Sequence, residues 1–413
     1  MYNTIFYAII IIIVLDFCLD RFLDYLNTTT RTDTLPDELA NIYDDERYQK
    51  SVAYDKANGK FGMISSSFSF LLMLGMLLSG GFAYIDYISG GYTQNPIFKA
   101  LIFFGIIGLV SDILQTPFGI YNTFVIEEKF GFNKITRKLF ILDKIKGWML
   151  SIVLGGVLLS VIIWFYYRTT DMFWIYAWVI VSGVMIFFAM FYSNLIVPLF
   201  NKQLPLDDGE LKNSINEFAS TVGFKLDNIY TIDGSKRSTK ANAYFTGLGQ
   251  KKRIVLYDTL IKDLSKEEIV AVLAHEIGHY KKKHTIQSII ISILNTGLTF
   301  YLISIFLKLP IMSQALGVLQ PSFHIGIIAF GILYSPISMI LSLGMNMLSR
   351  KNEYEADDFA KKYYGAEYLI SALKKLSSNN LSNLTPHPAN VFFHYSHPTL
   401  LQRIRNLKKN YNI

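Results

Sequence analysis

The chain has 413 residues, of which 51% are hydrophobic and 17% are charged, and its formal net charge is +7 at pH 7. The apolar residues form long blocks that a soluble core would not bury, so the composition excludes an ordinary soluble protein and predicts a polytopic membrane protein. The lysines and arginines lie mostly between these blocks, where membrane topology accounts for them and no nucleic-acid partner is expected. Cys18 is the only cysteine, which excludes an intrachain disulfide and a cysteine metal cluster.

Seven blocks approach the roughly 20 residues that a helix needs to cross a bilayer. They lie near residues 4–26, 62–87, 97–117, 147–167, 172–198, 285–309 and 323–348. The first block contains Asp16, Asp20 and Arg21, and charged groups in such a segment face a bundle interior or a water-filled cavity, or lie at the interface. We therefore predict seven transmembrane helices.

The distribution of positive charge predicts the orientation in the membrane. Residues 118–146 carry six lysines and arginines, whereas the connection at 168–171 carries only Arg168. Positively charged connections stay on the cytoplasmic side. Counting spans from there places the N terminus outside and the C terminus in the cytoplasm.

The polar stretch between the fifth and sixth blocks is typical of a small soluble α/β unit. Its predicted elements are a helix near 208–222, a strand near 228–232, and a hairpin that pairs 241–247 with 252–257 across Gly249-Gln250-Lys251. Ser265 and Glu268 then have the spacing of a helix capping box. Because no Pro or Gly pair stops this helix, we expect it to continue through Lys281–Lys283 into the sixth span.

This helix carries His275-Glu276-Ile277-Gly278-His279. Two imidazoles one turn apart can bind one Zn²⁺ at about 2.1 Å, and Glu276 can accept a proton from a water that the zinc activates. The same acid can later protonate the leaving amine of a cleaved peptide bond. The alternative is a pair of histidines with local hydrogen bonds, but only seven histidines occur in the chain, and this spacing favours zinc.

A catalytic zinc takes a third protein ligand, and the best candidates follow the seventh block. Glu353 and Asp357 lie one helical turn apart there, while Glu355 points to the opposite face. One of the two carboxylates can bind the metal while the other orients a ligand imidazole. An acidic run is also typical of a solvated helix face, so the residues alone leave this choice open.

Several further motifs surround these residues. They are Asp233-Gly-Ser-Lys-Arg-Ser, Asn242-Ala-Tyr-Phe, Lys252-Arg-Ile-Val-Leu-Tyr-Asp-Thr-Leu, Ser349-Arg with Glu353 and Ala356-Asp357, and Tyr395-Ser-His-Pro with Arg403. Together with His-Glu-x-x-His, they make the chain resemble the type I CAAX prenyl protease family. The resemblance implies a predominantly α-helical membrane protein, with seven transmembrane helices that enclose a chamber and a small soluble α/β zinc-protease unit.

The resemblance also implies roles for individual residues in this chain. One zinc per chain would be bound by His275, His279 and Glu353, with Glu276 as the base and Asp357 as the partner of a ligand imidazole. Asn242 would hydrogen-bond the substrate backbone, and His397 and Arg403 would lie over the cleft near the developing oxyanion. Without the family, Ser396-His397-Pro398 reads as a turn and Arg403 as a solvated helix residue.

The residues after Asn242 admit two interpretations. Ala243, Tyr244 and Phe245 fall on a predicted strand, and a free strand edge beside a zinc can bind an extended peptide through main-chain hydrogen bonds. Alternatively, the two aromatic rings pack into the soluble unit. The remaining histidines receive no catalytic role, because isolated histidines usually have local partners; they are His284, His324, His387 and His394.

We predict four segments: 1–198 with the first five spans, 199–284 as the soluble unit, 285–348 with the last two spans, and 349–413 as a helical segment with the third ligand. The favoured function is hydrolysis of a peptide bond near the C terminus of prenylated proteins, with the lipid bilayer as the second partner. The alternatives are a quality-control metalloprotease for unlipidated peptides, and a transporter or channel with structural zinc. A bacterial plasma membrane is preferred over the endoplasmic reticulum membrane, and the sequence carries no signal for the oligomeric state.

Overall fold

The computed structural model describes residues 3–30, 35, 39, 42, 45–224, 226, 228–247 and 253–409. The described chain is predominantly α-helical with one small sheet, as predicted. Its N-terminal half contains nine α-helices: α1 (Thr4–Thr29), α2 (Asp45–Leu78), α3 (Gly81–Tyr92), α4 (Pro96–Tyr121), α5 (Glu128–Phe130), α6 (Arg137–Leu150), α7 (Gly156–Thr169), α8 (Phe173–Leu195) and α9 (Val197–Phe200).

Within the described residues, five helical stretches are long and apolar enough to cross a bilayer. They are Glu46–Leu78, Pro96–Phe130, Arg137–Phe200, His284–Phe306 and Phe323–Tyr363. The predicted count of seven is therefore not confirmed. Helix α1 is not among the five, because Asp16, Asp20 and Arg21 interrupt its apolar sequence. The predicted spans at 147–167 and 172–198 both fall in Arg137–Phe200, where α7 and α8 are separate helices that pack on each other.

The span predicted at 62–87 is not one continuous helix. Helix α2 ends at Leu78 and α3 begins at Gly81, and Gly80 between them has a φ of 71°. This left-handed conformation is open to glycine and interrupts the helix. The apolar block is thus divided between two helices.

Some polar side chains of the apolar helices pair with residues of neighbouring helices. Lys144 on α6 donates to both carboxylate oxygens of Asp112 on α4, at 2.8 and 2.6 Å. The Ser335 hydroxyl donates to Asp16 of α1 at 2.6 Å. Such pairs satisfy groups that lipid cannot solvate, and they tie neighbouring spans together.

The soluble unit follows α9 and contains a four-stranded sheet. Its elements are β1 (Gln203–Pro205), α10 (Glu210–Thr221), β2 (Asn228–Ile232), β3 (Ala243–Thr246), β4 (Arg253–Tyr257), α11 (Asp258–Asp263) and α12 (Lys266–Lys281). The strand order is β1-β2-β4-β3, with β2 and β4 parallel and both outer pairs antiparallel. The predicted hairpin of β3 and β4 is confirmed, although its turn lies outside the described residues. Strand β3 forms one edge of the sheet.

The Asp233-Gly-Ser-Lys-Arg-Ser motif fastens this sheet to the membrane helices. Arg237 donates from Nε and Nη2 to the Asp143 carboxylate of α6 at 2.9 and 3.0 Å. Asp233 accepts from the Asn201 side chain at 2.9 Å, directly after α9. The motif therefore holds the soluble unit against the ends of the spans that precede it.

Helix α12 begins with the predicted capping box. The Ser265 hydroxyl accepts from the Glu268 N–H, and the Glu268 carboxylate accepts from the Ser265 N–H at 2.7 Å. Glu268 also accepts from Ser371 at 2.6 Å and Lys375 at 2.8 Å. Burial acts to raise the pKa of Glu268, but these hydrogen bonds outweigh burial and hold it below its usual range. The cap thus also binds α12 to the helix that carries Ser371 and Lys375.

The prediction that α12 continues into the sixth span is wrong. The helix ends at Lys281, Lys283 adopts a left-handed conformation with a φ of 62°, and a new helix begins at His284. The N–H groups of Lys282 and Lys283 bond to the carbonyls of Gly278 and Tyr280, which completes the turn. Neither Pro nor Gly was needed to stop the helix, and the direction of the chain changes just before residue 284.

The described part of the chain from residue 284 to 409 contains six helices. They are α13 (His284–Phe306), α14 (Pro310–Ala315), α15 (Phe323–Tyr363), α16 (Ala366–Asn379), α17 (Pro388–His394) and α18 (Leu400–Lys408). Helix α15 continues well beyond its apolar part, and this extension packs along α12. A Cβ atom on Gly278 would lie 3.0 Å from the Cβ of Phe359 and 3.1 Å from the Cα and carbonyl oxygen of Ala356. The two helices therefore touch closely where only a hydrogen atom fits.

We predict that Gly278→Ala destabilises the protein by about 1–3 kcal/mol, because the new methyl group overpacks the contact with the α15 backbone. The matched control is Gly344→Ala on α15, where the added Cβ meets nothing within 4 Å. There the gain in helix propensity of about 0.5–1 kcal/mol leaves stability equal or higher. Thermal unfolding in detergent measures both variants, and an unchanged midpoint for Gly278→Ala would contradict the close contact.

Candidate active site

The structure brings His275, His279 and Glu353 together, with one donor atom from each within 4.8 Å of the others. The two Nε2 atoms lie 3.1 Å apart. Glu353 Oε2 lies 3.4 Å from His275 Nε2, and Glu353 Oε1 lies 3.1 Å from His279 Nε2. The histidines come from α12 and the carboxylate from the extension of α15, so the contact between these helices builds the cluster.

The cluster fits a metal ion in its distances and in its unsatisfied groups. Donors at about 2.1 Å from a tetrahedral zinc are about 3.4 Å from one another, close to the three separations observed. Glu353 Oε2 is buried and has no hydrogen-bond partner. A buried carboxylate oxygen without a partner is costly, and a bound cation would satisfy it.

The ion pair of Asp357 and Arg403 lies beside the Nδ1 atom of His275. His275 Nδ1 lies 2.8 Å from Asp357 Oδ1, and the Asp357 carboxylate accepts from Arg403 Nε at 2.9 Å. Burial and the Arg403 guanidinium act to lower the pKa of His275, but the nearby carboxylates of Asp357 and Glu353 outweigh them and raise it to about 9. The same carboxylates that favour an imidazolium ion here also favour a cation among the donor atoms.

Arg403 lies deeper than the predicted position over the cleft. Its side chain is 11% exposed, and the guanidinium contacts Asp357 and, at 3.5 Å, Glu353 Oε2. The positive charge of Arg403 balances the negative charges of these two carboxylates, which are buried and therefore need a nearby cation. Two carboxylates of the acidic run, Glu353 and Asp357, are buried, and they account for the buried position of Arg403.

His397 occupies the more open side of the cluster. Its side chain is 62% exposed, and its Nε2 lies 3.3 Å from Glu353 Oε1. The turn that carries it is held by Arg350 of α15, which donates to the carbonyl of Tyr395 at 2.6 Å. The exposed imidazole can therefore reach a ligand while its backbone stays fixed.

A cavity of about 500 Å³ opens beside the cluster. Its lining includes Glu276, His279, Phe245 of the edge strand β3, and Ser396 next to His397. Phe245 packs on the rings of Phe224 and Tyr280, as the second interpretation of residues 243–245 expects, and it also lines the cavity. An extended chain in this cavity would run past the edge strand and Glu276.

The remaining strand residues have local partners. The Tyr244 hydroxyl lies 3.2 Å from the side-chain nitrogen of Gln203 and 3.3 Å from the hydroxyl of Ser193 on α8. The Asn242 side chain is exposed, and its amide oxygen accepts from the N–H of Ala243 at 2.8 Å. Tyr244 thus anchors the edge strand to the membrane helices, which fixes the edge relative to the cavity.

Sequence reasoning missed His284 and Glu355. The His284 ring is buried, and its Nδ1 lies 3.0 Å from His279 Nδ1. Glu355, predicted on the opposite face of its helix, lies 3.3 Å from His284 Nε2. His284 was assigned no catalytic role, because isolated histidines usually have local partners. The only signal in the sequence was a third histidine five residues after His279.

Two family models match the chain. One describes the N-terminal region of CAAX prenyl proteases with five membrane helices and matches residues 24–202, and the other describes peptidase family M48 and matches residues 205–411. CAAX prenyl protease 1 of Saccharomyces cerevisiae is 36% identical over 419 residues, which cover 95% of this chain and 92% of the yeast protein. The homolog in Homo sapiens is 35% identical, with 92% of this chain and 89% of the human protein covered.

A solved structure agrees with these matches. The crystal structure of S. mikatae Ste24p has a TM-score of 0.94 and 35% sequence identity, and the match covers 99% of this chain and 100% of that chain. The protein is therefore a membrane metalloendopeptidase with a metal cofactor, and the transporter or channel interpretation is excluded. The chain belongs to the type I CAAX prenyl protease family, within peptidase family M48.

Proposed function

We propose that the chain is a zinc endopeptidase that cleaves the peptide bond after a prenylated cysteine near the C terminus of its substrates. The observation that carries this proposal is the convergence of His275, His279 and Glu353 beside a cavity that also contains Glu276. The names of the yeast and human relatives support the substrate class. Two imidazoles and one carboxylate leave a fourth position open, as in a catalytic zinc site, whereas structural zinc has four protein donors.

One zinc ion per chain would be held by the Nε2 atoms of the two histidines and by the carboxylate of Glu353. When bound, zinc supplies a Lewis acid that polarises a carbonyl group and makes water nucleophilic near neutral pH. The contact of His275 Nδ1 with Asp357 supports this arrangement. An Nδ1–H that donates to the carboxylate leaves the Nε2 lone pair directed to the metal.

Glu276 would move the proton during hydrolysis. Its carboxylate accepts a proton from the attacking water, and the resulting acid delivers that proton to the nitrogen of the leaving amine. The C–N bond breaks as the new C–O bond is kept, which gives a free amine and a carboxylic acid that then releases its proton to solvent. Its position on α12 next to His275, with its side chain on the cavity, supports this role.

His397 would stabilise the negative charge that develops on the carbonyl oxygen. Its exposed imidazole, 3.3 Å from Glu353, is suited to donate a hydrogen bond at the open side of the cluster. Arg403 is buried against Asp357, so we assign it to charge balance and to the orientation of His275 and not to direct contact with the oxyanion.

The substrate backbone would add to the edge strand. Among the described residues, β3 pairs with β4 on one side and lies at the edge of the sheet, which leaves its other edge for main-chain hydrogen bonds with an extended peptide. Asn242 precedes this strand with an exposed amide group, and we assign it a hydrogen bond to the substrate backbone. Residues Ala243, Tyr244 and Phe245 would then run beside the bound chain.

The prenyl group would lie among the membrane spans. Between 6% and 22% of the most apolar window in each of the five candidate spans is buried, so most of their apolar surface faces lipid or an internal space. An apolar chamber between the spans would bind an isoprenoid chain while its peptide reaches the metal. We infer that segments 199–284 and 349–413 form the catalytic unit on the spans of segments 1–198 and 285–348.

The distribution of positive charge supports an N terminus outside and a catalytic unit in the cytoplasm, where prenylated C termini are found. The relatives named above come from yeasts and human. These eukaryotic sources favour the endoplasmic reticulum membrane over the bacterial plasma membrane that the sequence suggested.

We predict that Glu276→Gln lowers the turnover number by about 10²–10⁴-fold, because an amide cannot accept the proton of the attacking water. The variant should still bind one zinc, since Glu276 is not among the three converging donors. The matched control is Glu217→Gln, an exposed acid on α10. Cleavage of a farnesylated peptide and metal analysis measure both proteins, and retained cleavage by Glu276→Gln would refute the assignment of the base.

We also predict that the enzyme prefers lipidated substrates. A farnesylated peptide should have a kcat/KM at least about 100-fold above that of the same peptide with an S-methyl cysteine. Burial of about four CH₂ equivalents, near 3 kcal/mol, is enough for this ratio. Release of the C-terminal tripeptide is the readout. Equal rates for the two peptides would contradict CAAX specificity and favour the quality-control protease of unlipidated peptides.

A further inference from the structure

The imidazole of His284 lies directly behind the second proposed metal ligand. Its Nδ1 is 3.0 Å from His279 Nδ1, and its Nε2 is 3.3 Å from Glu355 Oε2. His284 is 5% exposed, so water does not supply these contacts in its place. His279, His284 and Glu355 therefore form a row of contacts that leads from the three proposed metal ligands to the Glu355 carboxylate, whose side chain is 37% exposed.

The hydrogen-bonding capacity of each group fixes the direction of the hydrogen bonds along this row. An ionised carboxylate only accepts hydrogen bonds, so His284 Nε2 carries the hydrogen that it donates to Glu355. A neutral His284 then has a lone pair on Nδ1, which accepts from the Nδ1–H of His279. The remaining nitrogen of His279, Nε2, therefore presents its lone pair toward Glu353 and His275.

We infer that His284 and Glu355 are positioning residues that hold His279 in the tautomer and ring orientation needed to bind the metal. This inference rests on the proposed function, which makes His279 a zinc ligand. Asp357 has the corresponding contact with His275, so each ligand histidine has a separate partner for its Nδ1. Such partners typically change metal affinity or activity by 10–100-fold when they are removed.

The turn between α12 and α13 makes this contact possible. In an uninterrupted α-helix, residues five apart are separated by about 140° around the axis, so His279 and His284 would diverge. The left-handed φ of 62° at Lys283 ends α12 and returns His284 to the ring of His279. A non-glycine residue in this conformation costs roughly 1 kcal/mol. The buried contact between His279 and His284 offsets this cost.

Glu355 lies closer to His284, at 3.3 Å, than to the neighbouring cation of Lys351. Lys351 Nζ lies 3.8 Å from Glu355 Oε1, and the Lys351 side chain is 72% exposed. An exposed pair at this distance contributes little. Lys351→Met is therefore a matched control, because it changes a charge beside Glu355 and leaves the contact with His284 in place.

The test compares His284→Leu and His284→Asn in the full chain in detergent. Leucine removes both hydrogen bonds, whereas the Oδ1 of asparagine can take the place of the accepting Nδ1. The affinity for zinc is measured by competition with a chelator, and the visible spectrum of the Co²⁺-substituted protein reports the ligand geometry. Thermal unfolding of the metal-free proteins separates a loss of metal binding from a loss of fold.

We expect zinc affinity to fall by about 10–100-fold in His284→Leu, with a changed Co²⁺ spectrum, and to remain within about fivefold of wild type in His284→Asn and Lys351→Met. Unchanged affinity in His284→Leu, or an equal loss in the asparagine variant, would overturn the inference. If the leucine variant at residue 284 fails to fold, Glu355→Leu replaces it, because leucine removes the acceptor of the His284 Nε2–H; the expected loss is about 10-fold, and wild-type affinity there would overturn the inference equally.

The failure of the inference and the failure of the proposed function are distinguishable. Absence of zinc binding in the wild-type protein would refute the proposed function. Tight zinc binding in wild type together with unchanged affinity in His284→Leu would refute only the role of His284 and Glu355.

Discussion

The structure depends on the close approach of two helices that are distant in sequence. Gly278 of α12 meets the backbone of α15 at Ala356, where a Cβ atom would lie about 3.1 Å from main-chain atoms. Because the approach is so close, Glu353 on α15 comes within 3.1 Å of His279 and 3.4 Å of His275. A displacement of one helix by a methyl group would separate donor atoms that must share one ion. The glycine inside the His-Glu-x-x-His motif thus has a packing role that is separate from the chemistry of its neighbours.

Side-chain contacts on several sides of the cluster hold α12 and α15 close together. The capping box of α12 is tied to α16 through Glu268, and Arg237 ties the sheet to α6. Arg403 of α18 balances Asp357, which in turn contacts His275. The residues of the cluster therefore come from both sides of the last two apolar spans in the sequence. Removal of the C-terminal helices would leave the buried Glu268 carboxylate of α12 without Lys375, which is costly.

Much of the fold and of the site was predictable from local patterns. The helix cap, the hairpin and the His-Glu-x-x-His spacing depend on neighbouring residues, and all three are present in the structure. The continuation of α12 was wrong because the left-handed conformation of Lys283 has no signature in residue type. Arg403 was expected over the cleft, but it lies deeper because its guanidinium pairs with the buried carboxylate of Asp357. The count of seven spans is not confirmed, because charged residues from Asp16 onward interrupt α1 and because two predicted spans fall in the single stretch from Arg137 to Phe200.

The central claim is that two imidazoles from α12 and one carboxylate from α15 hold one ion with a position left for water. Zinc K-edge X-ray absorption on the purified full chain tests it most directly. The account predicts one zinc per chain with two imidazole nitrogens and two oxygen donors at about 2.0–2.2 Å, and loss of one oxygen donor in Glu353→Ala. A site with four protein donors, or a spectrum that Glu353→Ala leaves unchanged, would contradict it.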